Sequence, residues 1–291
     1  MDTTKYCIIS FNYLGGCYGS LGPSSIDPET GKPFGGRFPA IAIEDQAKVA
    51  HRLLTSLGVE TLHAVAGPSV GGLCALSFAT TSPEMSPRVA LFASGIKTTV
   101  LTRLVLFEQI IAIENDPHFK AGDYYGGERP WLGLALARMI SHKTFVHIDT
   151  FQRRARKDIK QHEDILSWYK LRDPFQSYML HQGKKFVQRF DSNTYLRIND
   201  MWSRFNLLQD AEGNERNEVF KKSKELNQKF LVFSIDSDFC FYPEEQRELV
   251  DALEAAELEV TYLTVHSDKG HDSFLLEPDL YSPHLRHLLE N

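Results

Sequence analysis

The stretch Leu62–Ala79, LHAVAGPSVGGLCALSFA, decides the reading of the whole chain. Leu62–Ala66 is a short apolar run of strand type, and Val70–Ala79 is rich in small and apolar residues of helical type. Between them Gly67-Pro68-Ser69-Val70-Gly71 fits G-x-S-x-G in the strand–turn–helix context that this motif requires. A turn this sharp strains the backbone of its central residue and tolerates only tiny neighbours. It lifts the Ser69 hydroxyl out of the sheet and sets it at a helix N-terminus, where partial positive charge favours a developing anion. The plain alternative is a Gly-rich turn in which Ser69 only caps the helix.

Outward from this turn, strands and helices alternate. Tyr6–Asn12 reads as a strand, and Ile43–Leu57 as a helix with apolar positions at Ala47, Ala50, Leu53, Leu54 and Leu57, stopped by Gly58. Arg88–Ala93 is a further strand. Near the other end, Phe230–Ile235 is a strand, Glu244–Ala256 a helix and Glu259–Val265 a last strand. Such alternation implies βαβ units and a parallel sheet, an α/β class. From Lys97 to Asn227 the periodicity is helical, with Arg153–Lys160 a charged helix face and Asp210–Asn217 a polar loop. The expected organisation is an α/β core over 1–96, an inserted helical lid over 97–227 and the rest of the core over 228–291.

Composition excludes several classes. Of 291 residues, 42% are hydrophobic and 24% charged, which is ordinary globular usage. The formal charge of −6, from 32 Lys+Arg and 38 Asp+Glu, argues against a nucleic-acid partner. The greasiest stretch, Val100–Ile113, is broken by Arg103 and Glu108, so no membrane span is expected. The N-terminus shows no basic segment followed by an apolar one, hence no signal peptide. Cys7, Cys17, Cys74 and Cys240 lie far apart, which disfavours a zinc ribbon or a disulfide scaffold. No motif implies a metal, and the chain reads as soluble and cytoplasmic.

A serine nucleophile needs a base and an orienting acid, in the α/β-hydrolase fold in the chain order Ser, acid, His. Ile235-Asp236-Ser237-Asp238 offers two carboxylates after a strand, and Asp268-Lys269-Gly270-His271-Asp272 follows the last strand. The expected triad is Ser69, Asp238 and His271, with His266 a rival for the base and a surface histidine the plain alternative for His271. The backbone N–H of Val70 is the expected oxyanion donor. Leu14–Pro39 is too rich in Gly and Pro for regular structure and too long for an ordinary connection. Its Cys17 is a weak second candidate nucleophile, since no histidine stands near it in sequence.

Six segments together resemble the homoserine O-acetyltransferase family of the α/β-hydrolase superfamily. They are LGGCYGSLGPSSIDPETGKPFGGRFP (14–39), the elbow GPSVGG, GLALARMI (133–140), YMLHQGKKFVQRFDSNTYL (178–196), SDFCFYP (237–243) and GHDSFL (270–275). The resemblance runs from about Asp2 to Leu276. It implies a two-step acyl transfer from acetyl-CoA or succinyl-CoA through an acyl-Ser69 to homoserine or serine, in methionine or related amino-acid biosynthesis. It further implies that Arg138 holds the acceptor's carboxylate, that Asp272 binds its ammonium, and that the protein is a homodimer without a permanent cofactor. A planar guanidinium suits a carboxylate.

The sequence departs from the family pattern at three places. Pro68 and Val70 flank the serine in place of the usual Gly and Met or Leu, and Phe145 stands where a tyrosine is common. Tyr6–Asn12 corresponds to the fourth strand of the fold, which leaves strands one to three without residues. Strand three normally lies beside the nucleophile's strand, and the loop after it gives a second oxyanion donor, a loss worth about 10²–10³ in rate. Met1–Tyr6 resembles an internal segment of the family, as expected for a misplaced start or for a shortened chain. Two other functions fit the same residues: a plain esterase or thioesterase with water as acceptor, and a non-catalytic homologue that acts as a binding partner.

Overall fold

The computed structural model describes residues 2–155, 159–209 and 218–291. The polar loop expected at Asp210–Asn217 and the centre of the charged Arg153–Lys160 segment lie outside them. The chain divides into two compact units, one made of Met1–Phe11, Ala42–Thr99 and Arg204–Asn291, the other of Asn12–Ile41 and Val100–Ser203. The Gly- and Pro-rich segment groups with the helices, and the residues after Ser203 group with the sheet.

The first unit is an α/β sheet whose four strands, among the described residues, run parallel in the order β1 (Val65–Pro68), β2 (Arg88–Phe92), β3 (Lys229–Ile235), β4 (Glu259–Val265). Val65 faces Val89, Val89 faces Phe230, and Phe230 faces Val260, so one register runs through all four strands. A strand covered on both faces reads as a continuous apolar run, and β3, KFLVFSI, is buried from Phe230 to Ile235. Phe230 and Val232 face the helices α2 (Val70–Thr81) and α8 (Pro243–Ala255), packing with Leu76, Leu249 and Leu253. Leu231 and Phe233 face the other way, toward Ala90, Val265 and Tyr281. The helix α1 (Ile43–Ser56) lays Ala47, Ala50 and Leu54 on Phe78 and Met85.

The expected strand Tyr6–Asn12 does not form. These residues have no partner strand among the described residues, and Ile8, Ile9 and Phe11 are exposed. A strand exists only through its ladder, and among the described residues no strand lies between this segment and β1. β1 is consequently an edge strand with Ala66 and Pro68 exposed. An edge position is also where proline, which lacks the N–H, can be accommodated in a sheet.

The second unit is built on helices α3 (Val100–Glu114), α4 (Trp131–Phe145), α5 (Ile148–Arg154), α6 (Pro174–Val187) and α7 (Ser192–Ser203). Its core joins Ile113, Leu134, Ala137, Phe186 and Tyr195. A buried carboxylate organises its centre: Asp191 accepts hydrogen bonds from the hydroxyls of Tyr124 (2.7 Å) and Tyr125 (2.9 Å) and from the Thr194 N–H (2.9 Å). Burial, reinforced by the Asp191 charge, pushes both phenols well above their ordinary range. The Leu14–Pro39 segment is a chain of turns held from within, with Asp27 accepting from the Glu29 N–H and from Arg37. Among the described residues no helix is long and apolar enough to cross a membrane.

Candidate active site

Ser69 directly follows β1 and caps α2 with φ 55° and ψ −130°, a left-handed backbone that costs about 1–3 kcal/mol for a residue with a Cβ. Its N–H donates to the Phe92 carbonyl (2.9 Å), so the β1–β2 ladder holds the turn one residue past Pro68. The glycines on either side answer to close approach. A Cβ on Gly67 would lie 2.1 Å from the Gly71 oxygen, and one on Gly72 would lie 2.5 Å from both the Cβ and the Oγ of Ser94. Ser69 is thus held in the strained elbow that G-x-S-x-G predicts, and its side chain makes no capping bond.

Asp238 lies beyond the carboxyl end of β3, and His271 beyond that of β4. All strands are parallel, so the three candidate triad residues sit at the same edge of one sheet. His271 Nδ1 and Asp238 Oδ2 are 2.7 Å apart, and the two residues are 3% and 1% exposed. The other carboxylate oxygen, Oδ1, accepts the backbone N–H groups of Cys240 (2.7 Å) and Phe241 (2.9 Å). Those bonds orient the acid. With the carboxylate accepting from Nδ1–H, Nε2 is the nitrogen that carries the basic lone pair. The Phe241 ring stacks on the imidazole at 5.6 Å and 15°, and Phe274 meets it edge-on at 5.3 Å. Ser237 ties the two loops together, its hydroxyl donating to the Ser267 carbonyl (2.5 Å) and accepting the Gly270 N–H (3.2 Å).

The rival histidine is also paired, but at the surface: His266 Nδ1 lies 2.7 Å from Asp236 Oδ2, with side chains 83% and 41% exposed. The sequence favours the Asp238–His271 combination, and burial separates it from its rival as well. Asp272 is half-buried in the short turn Gly270–Asp272, next to His271. In the helical unit, the Arg138 guanidinium on α4 lies over the rings of Phe145 (5.2 Å) and Phe186 (5.0 Å). Phe145, noted as a departure, therefore supports Arg138 by cation–π contact. Cys17 is half-buried and burial raises its thiol pKa, the reverse of what an activated cysteine needs. Among the described residues no group of three or more His, Cys, Asp or Glu could hold a metal ion.

Two buried residues near the site escaped the sequence reading. Ser94, 2% exposed, donates its hydroxyl to the Ser69 carbonyl at 3.0 Å. Glu245 in the first turn of α8 accepts from the Thr99 hydroxyl at 2.6 Å. Burial pushes the Glu245 carboxyl up to about 7, the nearby charges of Asp238, Glu248 and Glu244 add to this, and the Thr99 bond opposes it. A raised folded-state pKa contributes stability that is fully present below the ordinary carboxylate value and is lost as pH rises through about 7. Glu245→Gln, which cannot ionise, is expected to lose less stability than the wild type between about pH 5 and about pH 8. Melting temperatures across that range check this, and parallel curves would contradict it.

The alpha/beta hydrolase fold model matches residues 2–278. A homoserine O-succinyltransferase of Pseudomonas syringae is 37% identical over 279 residues, covering 95% of this chain and 72% of the relative. The chain belongs to the homoserine O-acyltransferase family of alpha/beta hydrolases. A second family member, the homoserine O-acetyltransferase of Methanohalobium evestigatum, is 37% identical over 293 residues, which is 100% of this chain and 58% of that protein. The chain thus spans little more than half the length of this archaeal relative. The crystal structure of homoserine O-acetyltransferase from Bacillus anthracis has the same fold, with a TM-score of 0.83 at 22% identity over 94% of this chain and 71% of that one. Family members named for acetyl and for succinyl transfer stand at the same identity to this chain.

Proposed function

We propose that the chain transfers an acyl group from an acyl-CoA thioester to the hydroxyl of homoserine, as a step of methionine biosynthesis. The observation that carries this reading is the buried 2.7 Å Asp238–His271 pair at the same sheet edge as the strained Ser69. In the first step His271 Nε2 takes the Ser69 hydroxyl proton as Oγ attacks the thioester carbon. The oxyanion forms against the Val70 N–H. The C–S bond then breaks, and the CoA thiolate leaves with the proton from His271, giving an ester on Ser69. In the second step His271 takes the proton of the acceptor hydroxyl, the new ester forms, and Ser69 recovers its proton. Asp238 orients the imidazole and stabilises its charged form throughout. Arg138 takes the acceptor's carboxylate and Asp272 its ammonium, as the resemblance implies. Acetyl is the expected acyl group and succinyl the alternative.

The test is release of CoA thiol from acetyl-CoA and from succinyl-CoA, with and without homoserine, together with identification of the product. Release that depends on homoserine and yields O-acylhomoserine is the expected result. Thioester hydrolysis indifferent to homoserine would replace the reading with a thioesterase. Arg138→Ala is expected to raise the homoserine KM by about 10- to 100-fold, the worth of a hydrogen bond to a charged group, while acylation by the donor stays unchanged. An unaltered KM in that variant would remove the assigned role.

A further inference from the structure

We propose that Ser94 is a positioning residue for the oxyanion site: it anchors the peptide group whose N–H stabilises the tetrahedral intermediate. This rests on the reading of Ser69 as nucleophile and Val70 N–H as oxyanion donor. The Ser69 carbonyl and the Val70 N–H belong to one planar peptide, so fixing the direction of one end fixes the other. The carbonyl end is held by the Ser94 hydroxyl (3.0 Å), together with the N–H groups of Gly72 (2.9 Å) and Leu73 (3.3 Å). The two amide donors belong to the first turn of α2 itself, whereas Ser94 comes from the adjacent strand end and fixes that turn to the sheet.

The placement of Ser94 has its own structural cause. β2 ends at Phe92, Ala93 takes a left-handed φ of 47° while its N–H donates to the Phe233 carbonyl (2.9 Å), and the chain turns so that Ser94 lies against the elbow. Gly72 makes the approach possible, since a Cβ there would collide with the Ser94 side chain at 2.5 Å. Gly72 and Ser94 are therefore a matched pair across the turn. Hydrogen bonds accepted by an amide carbonyl also polarise its N–H, strengthening the donor by roughly 10–30% per bond. A purely structural tie would act on folding. A positioning role acts on the acylation rate.

The experiment is single-turnover acylation of the full chain by acetyl-CoA or succinyl-CoA, comparing wild type, Ser94→Ala and Ser94→Cys. Ser94→Ala is expected to slow acylation roughly tenfold, about the effect of one well-placed hydrogen bond on the transition state, and the near-isosteric Ser94→Cys to fall between. The concentration of acyl-CoA giving half the maximal rate, and the shape of the pH profile of acylation, stay unchanged. Inactivation by a fluorophosphonate, which also builds a charged oxygen against the Val70 N–H, slows in parallel. Acylation at the wild-type rate in Ser94→Ala would overturn the proposal. So would a loss that follows the melting temperature or the half-maximal concentration in place of the rate, with Ser94→Cys, which keeps the volume, as the check on folding. A wild-type chain that forms no acyl-enzyme would overturn the nucleophile reading, and a wild type that acylates while Ser94→Ala matches it would overturn this proposal alone.

Discussion

Ser69→Ala is expected to lower turnover by a factor on the order of 10⁶, the scale at which loss of a nucleophilic serine abolishes covalent catalysis. The substitution removes only Oγ. The elbow persists, because its geometry comes from the Ser69 N–H to Phe92 carbonyl bond and from the closeness of Gly67 and Gly72 to their neighbours. The variant should therefore stay folded and keep its affinity for acyl-CoA. A residual rate within tenfold of wild type would show that the chemistry lies elsewhere. Cys17 is a poor substitute for the role, since burial raises its thiol pKa.

Asp238→Asn is expected to lower turnover by about 10⁴. The direction follows from hydrogen-bond accounting. Oδ1 of residue 238 accepts two backbone N–H groups, from Cys240 and Phe241, so an asparagine must keep its amide oxygen there. Its NH₂ then faces His271 Nδ1, 2.7 Å away in the wild type, and Nδ1 must become the acceptor. The proton moves to Nε2, the nitrogen that has to receive the serine proton, and the base is lost. The stabilisation of the imidazolium is lost with it. An Asp236→Asn control, acting on a pair exposed at the surface, is expected to leave the rate near wild type. If Asp236→Asn proved the more damaging of the two, the assignment of acid and base would be wrong.

Local chemistry makes much of this legible in the sequence alone. The helix at Val70 and the strand at Glu259–Val265 begin where the sequence places them, because glycine punctuation and β-branched runs act over a few residues. The elbow was legible for the same reason, since Gly67, Ser69 and Gly72 are constrained by atoms within the turn and its supporting loop. What was not legible depends on partners distant in sequence. Tyr6–Asn12 has strand composition and no strand to pair with. β1 was expected at Leu62–Ala66 and runs Val65–Pro68, because pairing with β2, and not hydropathy, sets its limits. Glu245 reads as an ordinary acidic residue in the first turn of a helix, and only the surrounding burial reveals it as a carboxyl with a raised pKa. Ser94 reads as one small residue in Ala93-Ser94-Gly95, and its bond to Ser69 spans 25 positions. His271 is already favoured over His266 by its place after the last strand, and burial of the Asp238 pair against exposure of the Asp236 pair supports that preference.

The central claim is that Ser69 becomes acylated, and intact mass reads it most directly. The 291-residue chain is mixed briefly with acetyl-CoA or succinyl-CoA, quenched and weighed beside Ser69→Ala. The account predicts an added mass equal to one acyl group in the wild type, carried by Ser69, removed by homoserine and absent from the variant. A folded wild-type chain that gains no mass from either donor, or an adduct that survives Ser69→Ala, would contradict it.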